Sequence, residues 1–483
     1  MEVMPNIEAE HVHKDIGENK IGELSIASID AFLDRSKKVQ ENLSSIDISE
    51  RMDVFEMMGE AWVANLAKGE YSDLARDLAG STGYTENLMG IELGFVREMF
   101  SKENIERNLR YSFIKSIGGL NDFIVTEDGE SYRYLPSGPV FIISSGNSLI
   151  PPLIPTTLSL VTGNCTILKP SLSNYKGVYE AYSLMKGIGT KASDAMSDAL
   201  AISYFTHDSG GLEHLLKKCR LGVVNFWGAD PARTNIGVKV ASNPHHPKYL
   251  INGPLTGMAI IDRHNASEES ARAMALNMVL YDQQLCSSPT QALFIGDKKE
   301  ADEFALKVST YLDALGSSMP MDLNEGQIFA LQNARRAMMF KGSKVISSKD
   351  NTNPWTLAVS KGDSVLDPIV LSQPELNIFN RRRFLEIVVI EDDEKVPVMI
   401  ESIPHRMAFM GVDKVQTVGL AVNDETYKRL LGAIPATGVY RITPLKDMFM
   451  RSALEPYDGV NIASIFTYTL YSRSKSMETD VIE

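Results

Sequence analysis

Cysteine is nearly absent from this chain: Cys165, Cys219 and Cys286 are the only three among 483 residues. A disulfide framework is excluded as its organising principle, and a reducing compartment, the cytoplasm, is the expected home. Basic residues are in deficit, 48 Lys and Arg against 62 Asp and Glu, for a net charge of −14. A polyphosphate partner needs a basic surface, so nucleic acid is not expected, although a local basic pocket for one phosphorylated cofactor remains compatible. Long apolar runs are missing too. The most apolar stretch, 139–168, is broken by Gly146, Asn147, Pro151, Pro152, Pro155, Gly163 and Asn164, whereas a membrane helix needs about 20 consecutive apolar residues. No integral membrane segment is expected. The first 20 residues carry charges and two histidines around no apolar core, which argues against a secretory signal, and they read as a loose arm.

What is present is the pattern of an ordinary globular α/β protein. From Ile26 to about Phe100 apolar residues recur at helical spacing (Ile26, Ile29, Phe32, Leu33; Met52, Phe55, Met58, Trp62), and Asp47 with Glu50 has the form of a capping box. This layer reads as scaffold. Phe123, Val125, Tyr132 and Tyr134 flank the turn-like Glu127-Asp128-Gly129 and predict a two-stranded ribbon. The β-prone stretch Ile462 to Tyr471 is suited to pair with it.

The centre alternates short apolar β-rich runs (Val140–Ser144, Cys165–Leu168, Ala199–Phe205, Val223–Phe226, Tyr249–Ile251) with helical segments, which predicts a doubly wound parallel sheet. The usual GxGxxG fingerprint does not follow its first strand, where the sequence is Ser144-Ser145-Gly146-Asn147-Ser148. A second α/β region begins at Ala266, with helices near Glu268–Tyr281 and Glu300–Leu315 and a strand at Leu385–Ile390. The triplet Arg381-Arg382-Arg383 before that strand reads as a solvated turn.

Three features could carry chemistry. Cys286 lies in Asp282-Gln283-Gln284-Leu285-Cys286-Ser287-Ser288-Pro289, a polar, Ser-rich setting that favours a reactive thiol over a structural one. Asn147 and Lys169 follow successive strands, at the carboxyl ends that face the ligand crevice of such a sheet. An amide suits an oxyanion, and a lysine suits a ribose or phosphate. The pair His245-His246 sits in a Pro-flanked loop with no third ligand near in sequence, so no metal site is expected.

In this order, the strand-Gly-Asn turn, Ile-Leu-Lys169-Pro170-Ser171, Asn-Phe226-Trp227-Gly228 and the polar Cys loop resemble the aldehyde dehydrogenase superfamily. The segments Gly138 to Asn147 and Asp282 to Pro289, with the terminal Arg441-Ile-Thr-Pro and Glu455-Pro-Tyr-Asp-Gly, are most similar to the acyl-CoA reductase (LuxC-like) family of bacterial bioluminescence operons. The Cys loop is the most specific piece.

The resemblance implies a Rossmann-type cofactor domain, an α/β catalytic domain and a small β oligomerisation arm. Mapped on this chain, these are a helical layer over 1–120, an arm from 121–135 and 458–478, an NADP-binding domain over 136–265, a catalytic domain over 266–430 and a return segment over 431–457. It assigns the nucleophile to Cys286, the oxyanion to Asn147 with the Cys286 backbone N–H, and cofactor contacts to Ser145, Gly146, Lys169, Pro170, Ser171, Phe226, Trp227 and Gly228.

Departures from the superfamily refine this. The glutamate general base of aldehyde-oxidising members falls on Ile251 or Asn252, so no carboxylate is expected there, and hydrolysis of an acyl-enzyme is disfavoured. An apolar residue in its place would help exclude water. Leu172 stands where NAD-using members hold a ribose-binding glutamate, which favours NADPH. Ala229 replaces a pyrophosphate-contacting serine, leaving a backbone contact at Gly228 and the following helix. The glutamate that contacts the nicotinamide ribose falls on Arg382 or a neighbour. The expected activity is NADPH-dependent reduction of a fatty acyl-CoA or acyl-protein thioester to the aldehyde, by a homo-oligomer that can work with an acyl-transferring partner enzyme. The alternatives are an NAD(P)-dependent aldehyde dehydrogenase and an acyl-transfer protein that uses the same cysteine without redox chemistry.

Overall fold

The short central runs assemble into one five-stranded parallel sheet in the computed structural model, which describes residues 2–5, 11–16, 19–126, 129–321, 323–451 and 455–474. The strand order is Leu200–Ile202, Thr166–Lys169, Val140–Ile143, Val223–Trp227, Lys248–Asn252. Val140–Ile143 and Val223–Trp227 are buried throughout, which is why they read as continuous apolar runs without alternation. The chain starts in the central strand, builds to one edge, and then crosses to the other side at Val223. The topological switch, where the ligand crevice of such a sheet opens, therefore lies between the ends of Val140–Ile143 and Val223–Trp227.

By contact, the chain divides into two compact units, one of residues 1–82, 90–252 and 453–483, the other of 83–89 and 253–452. The first holds this sheet, with the helices Ile26–Ser44 and Ile48–Ala67 among its helical layer. Asp47 does cap the second helix, but through Ser49 N at 2.7 Å and not through the reciprocal box with Glu50. The expected loose N-terminal arm is corrected in part: His11–Ile16 and Asn19–Leu24 pair as an antiparallel ribbon, and Met4 bridges Ile202 at the sheet edge. Buried Ile21, Glu23 and Leu24 tie the ribbon down.

Thr467–Arg473 pairs antiparallel with Glu130–Pro136, which pairs with Ile124–Val125. The expected turn residues Glu127 and Asp128, and the last expected arm residues 475–478, lie outside the described residues. The expected strand from Ile462 begins only at Thr467. Ile462–Ile465 is a helical turn with Ile462 and Ala463 buried, so its apolar residues serve a core contact.

In the second unit, Leu255–Asp262 and Pro289–Ile295 are central strands of a seven-stranded sheet whose order is Lys344–Ser347, Thr356–Lys361, Phe384–Ile390, Pro289–Ile295, Leu255–Asp262, Lys414–Ala421, Arg441–Pro444. Only the Lys344–Ser347 pairing is antiparallel. Its core gathers Met258, Ile260, Leu293, Val388 and Val418. The expected helices span Glu268–Val279 and Lys298–Ser318. Among the described residues, no helix is long and apolar enough to cross a membrane.

Candidate active site

At the switch point of the first unit, two turns interlock. Ser173 Oγ donates to Gly146 O at 2.7 Å, and Asn174 Nδ2 donates to the carbonyls of Ser145 and Ser148 at 2.9 and 2.7 Å. A Cβ on Gly146 would stand 2.6 Å from Ser171 Cβ, so only glycine lets the turns approach. Ser145 Oγ donates to Asn147 Oδ1 at 3.1 Å, which fixes the amide. Ser145, Gly146, Asn147 and Ser171 are half-buried, and Pro170 is buried. The fold brings these residues together at one pair of turns.

Sequence reasoning missed the residue that anchors this turn. Glu92, buried on the helix Glu86–Phe100, accepts from Leu149 N at 2.6 Å and from Ser148 Oγ. The scaffold layer therefore reaches the site, and only burial in the fold distinguishes Glu92 from its solvated neighbours.

Lys169 ends its strand with Nζ 4.7 Å from the centre of the Tyr204 ring. Burial lowers its ammonium to about 8, with the Glu23 carboxylate pulling the other way. Phe226 and Trp227 are core side chains: Trp227 packs on Tyr457 with ring centres 4.5 Å apart and donates to Asn225 Oδ1 at 2.6 Å. Gly228 follows them half-buried, so the backbone is what this segment can offer a cofactor. The next helix, Ala232–Ala241, already faces a carboxylate, because Asp230 Oδ1 accepts from Thr234 N at 3.1 Å.

Asn252 accepts from Asn225 Nδ2 at 2.8 Å and donates to Asp458 Oδ2 at 3.1 Å. The expectation that no carboxylate is available beside this position is corrected: Asp458, 206 residues away in sequence, supplies one. His245 and His246 are exposed. One metal-capable group occurs among the described residues, Asp30, His214 and Cys219, in which His214 Nε2 and Asp30 Oδ1 are hydrogen-bonded at 2.7 Å.

In the second unit, Cys286 sits just beyond three successive left-handed residues, Tyr281, Asp282 and Gln283, with φ of 52, 49 and 67°. Non-glycine residues avoid this region, at a cost of about 1–2 kcal/mol each, so the surroundings must hold them there. They do. Arg383 Nε and Nη2 donate to Asp282 Oδ1 at 2.8 and 2.6 Å, and Arg382 Nη1 lies 3.6 Å from Oδ2. Gln283 donates to Pro289 O and accepts from Phe384 N, both at 2.7 Å, and Gln284 Nε2 donates to Arg381 O at 2.7 Å. Tyr84 stacks edge-on against Tyr281.

The expected solvated arginine turn is thereby overturned. Arg381 and Arg383 are buried; Arg383 grips the cysteine loop with its guanidinium, whereas Arg381 meets it only through its backbone carbonyl. Burial raises the Asp282 carboxyl above its ordinary range, and the two arginines oppose that rise.

Cys286 itself is half-buried, and Gln416 Nε2 donates to its Sγ at 3.2 Å. No local motif marks Gln416, which is 130 residues away in sequence. Cys165 and Cys219 are buried, and burial pushes both thiols up to about 12, which leaves them inert at neutral pH.

Solved structures share this fold. Aldehyde dehydrogenase 21 from Physcomitrella patens superposes with a TM-score of 0.69 at 12% identity, covering 97% of this chain and 96% of its own. The NADP complex of glyceraldehyde-3-phosphate dehydrogenase from Methanocaldococcus jannaschii gives 0.68 at 14% identity, over 96% and 97%. The chain therefore has the aldehyde-dehydrogenase-like fold. Among curated proteins, it is 23% identical over 356 residues to long-chain acyl-protein thioester reductase 2 of Photobacterium leiognathi, spanning 72% of this chain and 70% of that protein. It is 24% identical over 329 residues to the long-chain acyl-protein thioester reductase of Vibrio harveyi, spanning 66% and 65%. The family model of the acyl-CoA reductase (LuxC) matches residues 43–467, which takes in both the Gly146 turn and the Cys286 loop. This chain belongs to the acyl-CoA reductase (LuxC) family.

Proposed function

We propose that the protein reduces a long-chain fatty acyl thioester to the fatty aldehyde, with NADPH as reductant and Cys286 as the acyl carrier. The observation that carries this reading is the Cys286 loop. Of the three cysteines it alone is half-exposed, and it is held on a strained, fully braced turn.

The Cys286 thiolate attacks the thioester carbonyl, and the Cys286 backbone N–H with the Asn147 amide is the proposed oxyanion donor set. Collapse expels the donor thiol and leaves an S-acyl cysteine. NADPH, when held at the Gly146 turn and Lys169, would supply the hydride needed to bring this acyl group to the thiohemiacetal level. The thiohemiacetal oxygen then expels the Cys286 sulfur, which releases aldehyde and regenerates the thiolate.

The Gly146 cradle and Lys169 fit a phosphorylated dinucleotide. The turn admits no side chain, Lys169 offers a cation at the strand end, and Leu172 brings no carboxylate to repel a 2′-phosphate. The family model carries acyl-CoA in its description, and the two relatives carry acyl-protein thioester in theirs. Both donors deliver the same acyl thioester to Cys286. The oligomeric state proposed is a homo-oligomer built on the Thr467–Arg473 ribbon, and the compartment is the cytoplasm.

The test is NADPH oxidation by the purified protein with acyl-CoAs of increasing length, and with an acylated partner protein, while aldehyde and free acid are both quantified. Aldehyde that appears with wild type and vanishes in Cys286→Ala supports the reading. Turnover that survives Cys286→Ala refutes it.

A second reading, an NAD(P)-dependent aldehyde dehydrogenase, has one observation in its favour, the Asp458 carboxylate beside Asn252. It predicts free acid from aldehyde and NAD(P) without a thiol acceptor, abolished in Asp458→Asn.

A further inference from the structure

We propose that Gln416 is a catalytic residue of this site, holding the Cys286 sulfur as a thiolate through its side-chain N–H. The proposal rests on Cys286 being the nucleophile and adds a residue that no local motif marks. Gln416 lies in the strand Lys414–Ala421, which is bonded on one side to Leu255–Asp262 and on the other to Arg441–Pro444. It stands at the register shift between Val415 and Thr417, its carbonyl accepts from Tyr440 N at 3.1 Å, and only 1% of it is exposed.

The amide has a defined sense. Thr417 Oγ1 donates to Gln416 Oε1 at 3.2 Å, while Nε2 donates to Cys286 Sγ at 3.2 Å. A neutral thiol sulfur is a weak acceptor and a thiolate a strong one, so a donor aimed at Sγ gains more from the charged form. Hydrogen bonding to the charged form of a group favours that form, so Gln416 raises the fraction of reactive thiolate at neutral pH.

An amide takes up no proton. The Cys286 proton leaves to water, and Gln416 serves without changing its own charge. The effect acts twice. It makes the nucleophile available for attack, and it makes the same sulfur a better leaving group when the thiohemiacetal collapses. The lower basicity costs some nucleophilicity, with a Brønsted coefficient of about 0.4–0.5, so the larger thiolate population outweighs it below the thiol pKa.

The test uses the full chain as wild type, Gln416→Met, which keeps the volume and removes the donor, and Gln416→Glu, which puts a carboxylate against the sulfur. The rate of Cys286 alkylation by iodoacetamide is followed from pH 5.5 to 10, with the modified peptide identified by mass spectrometry. The expected result is a midpoint about one pH unit higher in Gln416→Met, with alkylation at pH 7 slower by roughly tenfold and an unchanged plateau at high pH. Gln416→Glu moves further in the same direction.

A residue that merely packs against the loop would lower the plateau or the melting temperature and leave the midpoint in place. Unmoved midpoints in both folded variants, while alkylation of wild type still abolishes turnover, overturn the Gln416 assignment alone. Turnover that survives alkylation of Cys286 overturns the proposed function itself.

Discussion

Arg383 closes two hydrogen bonds on a single oxygen of Asp282, through Nε at 2.8 Å and Nη2 at 2.6 Å. The remaining donors of the same guanidinium reach Asn353 Oδ1 at 2.8 Å and Met319 O at 2.7 Å, so one side chain ties the cysteine loop to two other segments of its unit. Replacing Arg383 with Met leaves buried Asp282 without its hydrogen-bonded partner and with only Arg382 at 3.6 Å, and breaking a buried pair costs about 3–5 kcal/mol. The expected loss in urea unfolding is of that size. Arg383→Lys recovers part of it and still loses most activity, because a point charge cannot reproduce the fork.

Gly146→Ala tests the cradle. Its methyl would collide with Ser171 and Ser173, whose turn is already locked to Gly146 by a hydrogen bond. The expected outcome is at least a tenfold rise in the Kd for NADPH, measured by fluorescence titration, with acylation of Cys286 by acyl-CoA retained.

The cofactor affinity should follow the charge on Lys169. Burial lowers that ammonium to about 8 in the free protein. The protonated form is the one that attracts an anion, so affinity is full below pH 8 and falls by up to about tenfold per pH unit above it. Lys169→Arg flattens this dependence because a guanidinium keeps its proton, and Lys169→Met binds weakly at every pH. Titrations of NADPH between pH 6.5 and 9.5 check all three.

Arg381 presents the opposite situation to Arg383. Its Nε, Nη1 and Nη2 have no hydrogen-bond partner, and its charge rests on the Phe409 ring at 5.0 Å. The nearby Glu386 is satisfied by others, among them Gln291 Nε2 at 2.9 Å, Ser360 Oγ at 2.8 Å and Val365 N at 2.8 Å. Arg381→Met should therefore be neutral or stabilising, by up to about 2 kcal/mol, since an apolar group of similar volume removes a poorly compensated buried charge. Gln284 keeps its acceptor, which is the backbone carbonyl.

The parallel sheet of the first unit was legible because a strand buried on both faces is an uninterrupted apolar run, and each run here is bounded by turn residues. Cys286 was legible because its neighbours are small and polar. What could not be read was carried by long-range packing and burial. Gln416 meets Cys286 because the turn before Pro289–Ile295 reaches a strand two places away in the sheet, and Glu92 meets Ser148 because a helix crosses the turn. The arginine triplet was misread for a related reason. Composition says that a charge run is solvated, and only the fold reveals a buried carboxylate waiting for it at Asp282.

The two units also differ in how they are strung along the chain. The unit that bears Cys286 takes all its residues from 83–89 and 253–452, whereas the unit with the Gly146 turn also needs the segment after 452. That segment is integral: Phe466 O accepts from Ser137 N and Asn164 Nδ2, and Tyr457 covers Trp227. All residues of the thiol-bearing unit are therefore translated before residues 455–474, which the other unit needs for these contacts. The threading of the polypeptide thus favours the thiol-bearing unit folding before the unit that holds the N-terminus, against the usual N-terminal-first order.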